Sequence, residues 1–299
     1  MTVERKPRLD TLAVTTLVLC CFLWGLNQVA AKAAMPEVPA LWQAALRSIG
    51  GALLVWGWAR WRGIPIFTHD ATWRSGLLAG ALFGAEFLCI FIGLQYTTAS
   101  RMVVFIYLSP FVVALGMPFI ARSERLARPQ VLGLLIAFAG VAWAFEEGFT
   151  APAAGPRQLL GDALGVAAAL LWGATTLAIR GSRLASASAE KTLLYQLAVS
   201  GVMLLLAALA SGTRMPTSLS VLAWSALGFQ IVIVTAFSYV LWFWLMARYP
   251  ATRLATFTLL TPVFGLLLGA LLLGEAITLR LAIALLAVAA GIVLVNRRA

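Results

Sequence analysis

The sequence predicts an all-α integral membrane protein with ten transmembrane helices in two inverted five-helix repeats. Three observations lead to this prediction. The composition is that of a chain embedded in lipid, the apolar residues fall into ten long segments, and a set of rare residues recurs in the same order in the second half of the chain. Inverted repeats of this kind are typical of secondary transporters, which hold their substrate near the midplane of the membrane.

The composition excludes an ordinary soluble domain. Apolar residues make up 62% of the 299 positions and charged residues 11%, whereas soluble domains contain about 25% charged residues. The mean hydropathy is +0.95. The net charge of +11 comes from short clusters of cations between apolar runs, so we expect no nucleic-acid partner. The partners expected are the lipid bilayer and a small-molecule substrate, and the oligomeric state stays open.

Ten apolar segments are long enough to cross a bilayer, which takes about 20 residues in a helix. The N-terminal run has cations before it, as in a signal peptide, but no A-x-A site ends it, so we predict an uncleaved first segment. The segments cover 11–34, 40–60, 71–96, 98–121, 127–146, 158–181, 190–212, 218–247, 250–273 and 278–296.

The cations are distributed unequally between the two sides of the predicted membrane. Sixteen of the 22 lysines and arginines fall on the side of the N-terminus and five on the other side, with Arg47 inside the second segment. Cytoplasmic loops carry the excess of Lys and Arg. Both termini are therefore predicted to be cytoplasmic, which also favours an even number of segments.

Two stretches of sequence occur twice. LWGLNQVAAK at 23–32 recurs as LWGATTLAIR at 171–180, and TASRMVVFIYLSPF at 98–111 aligns with PATRLATFTLLTPVF at 250–264. Five segments separate the copies of LWG, so the second copy crosses the membrane in the opposite direction. We predict two homologous halves, 1–150 and 151–299, although chance similarity between Leu/Ala-rich helices is the alternative.

These motifs resemble those of a known family. LWG with a closing cation, the TASR-type junction, Ser/Thr-Pro on the fourth segment and Glu124 or Glu275 before the fifth resemble EamA repeats. The chain resembles the drug/metabolite transporter superfamily over nearly its whole length, and within it the YddG-type aromatic amino acid exporters. The resemblance implies export of small metabolites across a bacterial inner membrane through a central cavity. Ser123 stands where the second half has Gly274, so the two motifs are not equivalent.

Polar and aromatic side chains at helical spacing are the candidate lining of that cavity, because polar groups in hydrocarbon face an interior or water. Amides offer donors and acceptors, and Trp and Tyr offer flat walls that suit an aromatic guest. The alternatives are polar contacts that join helices and interfacial belts. The candidates are Trp24, Asn27, Gln28, Gln43, Glu86, Tyr107, Trp172, Thr175, Thr176, Tyr195, Tyr239 and Trp242.

Glu86 is the single acid well inside a predicted segment. A carboxylate there is costly unless it is paired, protonated or wet. Two hypotheses stay open: Glu86 couples transport to protons or binds a substrate ammonium group, or it forms a structural pair with Arg47 or Lys32. Arg47 in turn meets a substrate carboxylate or belongs to a static ion pair.

Pro110 and Pro262 occupy corresponding places in the two halves, and each removes a backbone hydrogen bond, so we predict kinks there. Cys20, Cys21 and Cys89 lie in apolar runs and the single histidine lies in a polar loop. This pattern predicts no disulfide, zinc or haem site, and no cofactor is implied.

The function predicted is secondary transport by alternating access. The chain has no G-x-x-x-x-G-K-[ST] motif for a nucleotide and no convergent catalytic set, so we expect neither an ATP-driven pump nor an enzyme. The predicted substrates are amino acids, with aromatic and other apolar ones favoured. A multidrug or cationic-metabolite exporter of the same fold is the alternative. A channel and an intramembrane enzyme are the alternatives from other classes.

Overall fold

In the computed structural model of the chain, the residues described are 6, 8–68, 70–93, 95–96, 105–121, 126–144, 157–273 and 279–296. All regular secondary structure within these ranges is helical, and they contain no strand, which confirms the all-α prediction. The helices are α1 (Thr11–Ala34), α2 (Ala40–Trp61), α3 (Trp73–Gly93), α4 (Ser109–Ile120), α5 (Arg128–Ala144), α6 (Gln158–Arg180), α7 (Ala189–Ala210), α8 (Val221–Arg248), α9 (Ala251–Phe257), α10 (Leu260–Leu273) and α11 (Leu279–Asn296).

Several predicted features lie outside the described residues. These are the TASR junction at 98–101, the two acidic motifs at 123–124 and 274–275, and the side chains of Gln28 and Lys32.

Within the described residues, five helices are long and apolar enough to cross a membrane. They are Thr11–Ala31, Trp73–Gly93, Leu159–Arg180, Ala189–Ala210 and Val221–Arg248, and shorter apolar helices cover Ser109–Ile120 and Arg128–Gly140. An α-helix suits a bilayer because it satisfies its backbone hydrogen bonds internally. The chain is therefore a multi-pass membrane protein.

The bundle is apolar on its outside and carries polar groups inside. Leu53, Leu206 and Phe119 expose 62%, 61% and 92% of their surface, whereas Arg47 and Glu86 are each 5% exposed. Intramembrane charges usually face the interior of a bundle or a wet cavity. The two sets of side chains thus distinguish a lipid-facing surface from an interior with polar chemistry.

The helices of the first half contact those of the second half in symmetric pairs. The principal contacts join α5 to α11, α2 to α7, α3 to α6, α1 to α8, α3 to α7, α2 to α8, α1 to α10 and α4 to α6. In the repeat, α1, α2, α3 and α5 correspond to α6, α7, α8 and α11, and α4 corresponds to α9 and α10. When each helix is exchanged for its counterpart, every one of these contacting pairs becomes itself or another pair of the same set. The polar interior therefore lies between two sets of helices that contact each other in equivalent ways.

The glycine of each LWG phrase makes a close helix contact. A Cβ on Gly25 would lie 2.7 Å from the backbone nitrogen of Gly265 and 2.8 Å from the Cβ of Phe264. A Cβ on Gly173 would lie 2.5 Å from the Cβ of Val112. Val112 and Phe264 are separated by the same number of positions as Pro110 and Pro262. The glycine of the repeated LWG motif thus allows a neighbouring helix to pack equally closely against α1 and against α6.

Gly25→Ala is expected to lower the stability of the folded protein. The methyl group would meet backbone atoms of α10, which cannot rotate away, and overpacking of this kind costs about 1–3 kcal/mol. We expect a clearly lower melting temperature in detergent. Gly57→Ala is the matched control, because a Cβ on Gly57 would meet nothing within 4 Å. Equal melting temperatures for the two variants would contradict the close approach of α1 and α10.

The chain interrupts its helices just before both predicted kinks. Residues 107–108 form a turn before α4, and residues 258–259 form a turn between α9 and α10. The amide of Phe111 donates to the carbonyl of Leu108 at 3.0 Å, and that of Thr261 donates to Thr258 at 2.9 Å, in 3₁₀ fashion. Each proline then lies in the first turn of the following helix, where its missing N–H leaves no bond unmade. At both places the chain therefore turns just before the helix that carries the proline, and the proline does not bend the middle of that helix.

Candidate functional site

The polar-aromatic stripes of α1 and α8 meet at Trp24. Its Nε1 donates a hydrogen bond to Oγ of Ser238 at 2.9 Å. Its ring packs edge-to-face against Tyr239 and Trp242, with ring centroids 6.1 and 5.5 Å away. Three predicted site residues, Trp24, Tyr239 and Trp242, are therefore brought together, and Ser238 fixes the orientation of the indole.

The part of α8 that faces Trp24 follows a π-helical stretch. Phe229–Ser238 is π-helical, and α-helix resumes at Tyr239. Oγ of Ser238 donates to the carbonyl of Val234 at 2.5 Å. Thr235 is fully buried, and no described residue forms a hydrogen bond with its Oγ1. Because π-helical turns are rare and frequently occur at functional sites, this stretch marks the middle of α8 as part of the site.

Arg47 of α2 reaches into the same region. Its Nη2 donates a hydrogen bond to the hydroxyl of Tyr239. Its guanidinium lies over the ring of Phe87, 4.6 Å from the centroid, and 5.8 Å from the centroid of Tyr239. Cation–π contacts stabilise a desolvated cation by about 2 kcal/mol. The cation is thus held by neutral groups of α3 and α8.

Glu86 of α3 is buried beside this arginine. Within the described part of the chain its Oε2 has no hydrogen-bond partner, and its neighbour Phe87 lies under the Arg47 guanidinium, 4.6 Å from the ring centroid. Within the described residues no ion pair joins them. The structure therefore does not contain the Arg47 ion pair that was one hypothesis for Glu86.

Asn27 of α1 lies at the same depth as these two charges. Asn27 and Glu86 each lie seven residues before the end of their helices, and Arg47 lies seven residues after the start of α2. The start of α2 packs against the end of α3, so all three residues are about 10 Å from one end of the bundle at 1.5 Å per residue. Oδ1 of Asn27 is also buried and has no hydrogen-bond partner among the described residues.

An aromatic wall on α3 completes this region. The rings of Phe83 and Phe87 are 4.8 Å apart, and Phe83 lies edge-on to Tyr239 at 6.3 Å. Neither phenylalanine was predicted as a site residue. Their spacing of four residues, with Phe91 one turn further on, places them on one helix face and was the available signal.

Gln43 mainly joins helices. Its Nε2 donates to the carbonyl of Val38 at 2.9 Å, and its Oε1 accepts from Nε2 of Gln230 at 3.1 Å. Gln230 was not predicted, although an amide within the apolar run FQIVIV is a signal of buried polar pairing. Both amides are almost fully buried, so they bridge α2 and α8 and leave little capacity for a ligand.

The corresponding stripe of the second half is less polar in its contacts. Trp172 packs edge-to-face on Tyr107, with centroids 5.8 Å apart. Oγ1 of Thr175 donates to the carbonyl of Leu171 in its own helix at 2.8 Å, and Thr176 is buried. Trp172 on α6 therefore has the place that Trp24 has on α1, and it packs on Tyr107. The hydroxyl of Thr175, however, bonds to the backbone of its own helix.

Tyr195 lies apart from the other candidates. A Cβ on Gly76 would contact its ring, and its hydroxyl lies 3.5 Å from Oγ1 of Thr72. Gly76 is ten residues before Glu86 on α3, a separation of about 15 Å. Tyr195 therefore faces the end of the bundle rather than the region around Arg47.

Two contacts tie the halves of the chain together at opposite ends of the bundle. We define the lower end as the one where α1 and α3 begin, and the upper end as the one where α1 ends and α2 begins. At the lower end Nζ of Lys191 contacts Asp70 at 2.7 Å and Thr68 at 2.6 Å. At the upper end Glu37 accepts hydrogen bonds from Oγ and the amide of Ser220, at 2.6 and 2.7 Å. We call these the lower and upper clasps.

The contacts at the lower end of the bundle involve ionised side chains. Lys191, followed by the hydroxyls of Thr72 and Thr68, lowers the pKa of Asp70, so this carboxylate stays ionised at neutral pH. Nearby, both carboxylate oxygens of Asp10 accept hydrogen bonds from the hydroxyl of Tyr249 at 2.9 Å. Lys6, the amide of Ala13 and that tyrosine lower the pKa of Asp10 to about 2. The lower end therefore holds two charged contacts between segments far apart in the chain.

Comparisons with known proteins agree with this architecture. The model of the EamA-like transporter family matches residues 11–145 and 159–297. The uncharacterized transporter YvbV of Bacillus subtilis is 29% identical over 294 residues, covering 95% of this chain and 92% of that protein. A Salmonella typhimurium protein named as a probable amino-acid metabolite efflux pump is 25% identical, covering 87% of each. A crystal structure of a protein 22% identical in sequence superposes with a TM-score of 0.78, covering 95% of this chain and 96% of the other, so the fold is shared.

Proposed function

Because the chain belongs to the EamA-like transporter family, we propose that it exports amino acids across the bacterial inner membrane by alternating access. Aromatic and other apolar amino acids are the favoured substrates. The observation that carries this proposal is the interior cluster in which Phe87 and Tyr239 contact the buried Arg47 and Trp24 packs against Tyr239. The membership confirms the family expected from the repeated motifs, and the aromatic specificity is part of the proposal.

The cluster suits an amino acid with a large apolar side chain. Aromatic rings prefer edge-to-face neighbours at centroid distances of about 4.5–7 Å, and Trp24, Tyr239, Trp242 and Phe83 already provide such edges and faces. The charged groups beside them fit the polar part of the same molecule. The Salmonella typhimurium relative is named as a probable amino-acid metabolite efflux pump, which agrees with this substrate class.

Alternating access is proposed to arise from two inverted halves, 1–150 and 151–299, that make up ten transmembrane helices with both termini in the cytoplasm. Three features support it: the matched helix contacts, the paired interruptions before Pro110 and Pro262, and the clasps at opposite ends. Interrupted helices in corresponding places often mark the binding region of such transporters. The carrier then opens first at one end and then at the other around a fixed site.

A multidrug or cationic-metabolite exporter of the same fold is the second candidate. The observation that favours it is Glu86, whose Oε2 is buried without a partner and offers a counter-ion to a cation. Arg47 counts against it, because a buried guanidinium beside the site repels a cationic substrate that has no negative group to offer.

Counterflow in proteoliposomes tests the proposal. Vesicles preloaded with unlabelled amino acid receive labelled Phe, Trp, Met, Leu, Ala, Lys or Glu from outside. Transient accumulation of Phe, Met or Leu label is the expected result, with little accumulation of Lys or Glu. If folded protein shows no counterflow with any amino acid but does so with a hydrophobic cation, the amino-acid assignment is wrong and the second candidate replaces it.

A further inference from the structure

Arg47 and Glu86 place a guanidinium and a carboxyl group in the buried interior, and within the described residues no ion pair joins them. Each is 5% exposed, and the Arg47 guanidinium lies 4.6 Å from the ring centroid of Phe87, the residue next to Glu86. Burying a charge costs several kcal/mol unless it is paired and hydrogen-bonded. A guanidinium and a carboxylate in the same buried region normally form an ion pair. Because Arg47 and Glu86 form none with each other, each can bind a ligand group of the opposite charge.

We propose that Arg47 and Glu86 bind the two charged groups of one zwitterionic α-amino acid. The guanidinium holds the substrate carboxylate, and the Glu86 carboxylate holds the substrate ammonium group. This inference rests on the proposed function and adds to it the chemistry that selects the substrate. The zwitterion supplies both missing counter-charges at once, and it leaves the substrate side chain to the aromatic residues.

The contacts of Arg47 leave it able to bind a carboxylate. A guanidinium has five N–H donors in one plane, and the one described hydrogen bond of Arg47 goes to the hydroxyl of Tyr239. The guanidinium carbon lies over the ring of Phe87, and a cation–π contact uses no N–H donor. Bidentate binding of a carboxylate needs two donors on one edge.

The surroundings of Glu86 suit an ammonium group in the same way. Its Oε2 is a buried acceptor with no donor, and an ammonium group has three donors to place. Oδ1 of Asn27, at the same depth in the bundle, is a second buried acceptor without a donor. The chain thus offers one bidentate donor and two acceptors to the two ends of a zwitterion.

This arrangement predicts discrimination against molecules that carry one charge. An amine without a carboxylate leaves Arg47 unpaired, and an acid without an ammonium group leaves Glu86 unpaired. Leaving a charge unpaired in a buried site weakens binding strongly. Phenylalanine should therefore compete about tenfold or more better than phenethylamine or 3-phenylpropionate, which keep the ring but lack one charge.

The test is competition against labelled phenylalanine in counterflow. Arg47→Met is expected to reduce the preference for phenylalanine over phenethylamine by about tenfold, with a smaller change in the preference over 3-phenylpropionate. Glu86→Gln should give the opposite pattern. Arg62→Met is the charge-matched control, because Arg62 is exposed and its described contact is with Trp58. Its preferences should match those of the unmodified protein.

The outcomes separate the inference from the proposed function. If the unmodified protein shows phenylalanine counterflow but phenethylamine and 3-phenylpropionate compete equally well, the inference is overturned while amino-acid export stands. The same holds if Glu86→Gln, which preserves shape, leaves both preferences unchanged. If Arg47→Met does not fold, the competition in the unmodified protein and in Glu86→Gln still decides the question. If the unmodified protein moves no amino acid, the proposed function fails and this inference with it.

Discussion

Trp24→Ala is expected to reduce phenylalanine counterflow by about tenfold or more. The substitution removes the hydrogen bond to Ser238 and both ring contacts, with Tyr239 and Trp242. It therefore removes one side of the proposed site. The hydroxyl of Ser238 and the ring of Tyr239 also lose the contact with the indole that orients them. Because a misplacement of about 1 Å in a binding site costs large factors in rate, the loss should exceed that of a single contact. Initial rates of label uptake measure it.

Trp61→Ala is the matched control for this prediction. Trp61 is 75% exposed and lies at the end of α2, where aromatic residues form an interfacial belt, so its removal should leave counterflow nearly unchanged. Trp24→Phe keeps a ring and loses the Nε1 donor, and it should fall between the two. Equal rates for Trp24→Ala and Trp61→Ala would contradict the assignment of Trp24 to the site. Trp172→Ala is expected to have a smaller effect than Trp24→Ala, since its described ring contact is with Tyr107 alone.

Helical spacing predicted which side chains share a face but not which partner each face meets. The stripes of α1 and α8 were predicted separately, and the structure joins them through Trp24 and Ser238. Tyr195 was grouped with the same candidates, yet it lies near Thr72 at the lower end, because the spacing of residues on α7 says nothing about depth relative to other helices. Depth depends on where each helix begins, and short connections decide that.

Hydrogen bonding also limited what could be predicted. An amide in an apolar segment is a signal of polar chemistry, but Gln43 meets its needs with a backbone carbonyl and Gln230, 187 positions away. The π-helical stretch of α8 has no pattern in its own sequence, since FQIVIVTAFS is as apolar as its neighbours. Such a stretch is set by tertiary contacts, among them the close approach of Thr235 to Gly51, and these appear only when the helices are assembled.

Lys191→Met is expected to shift the carrier towards a state that is open at the lower end. Lys191 is 2% exposed and makes the charged contact with Asp70, so its loss removes an ion pair between the first and second halves at that end. A ligand or variant shifts a two-state equilibrium by its differential effect on the two states. The readout is alkylation of Asn27→Cys, in a protein without its native cysteines, by a maleimide that cannot cross the membrane. Labelling from the lower side should rise about threefold or more.

Arg62→Met again serves as the control, because it removes a cation near the same end without touching a contact between the halves. Its labelling should match that of the parent protein from both sides. If Lys191→Met raises labelling equally from both sides, the variant has loosened the whole bundle and the clasp does not act as a gate. If neither side changes, the contact is structural and does not take part in access.

Loss of the upper clasp is expected to open the upper end instead of the lower one. The two clasps should also differ in strength. Exchange of the two halves maps the connection between α1 and α2, which carries Glu37, onto the one that precedes Lys191, and the connection before Ser220 onto the one that carries Asp70. The clasps are therefore counterparts at opposite ends, but the upper one is an exposed pair of hydrogen bonds and the lower one contains a buried cation. Exposed contacts contribute little because water competes for both partners. Glu37→Gln should thus raise labelling from the upper side, by less than Lys191→Met raises it from the lower side.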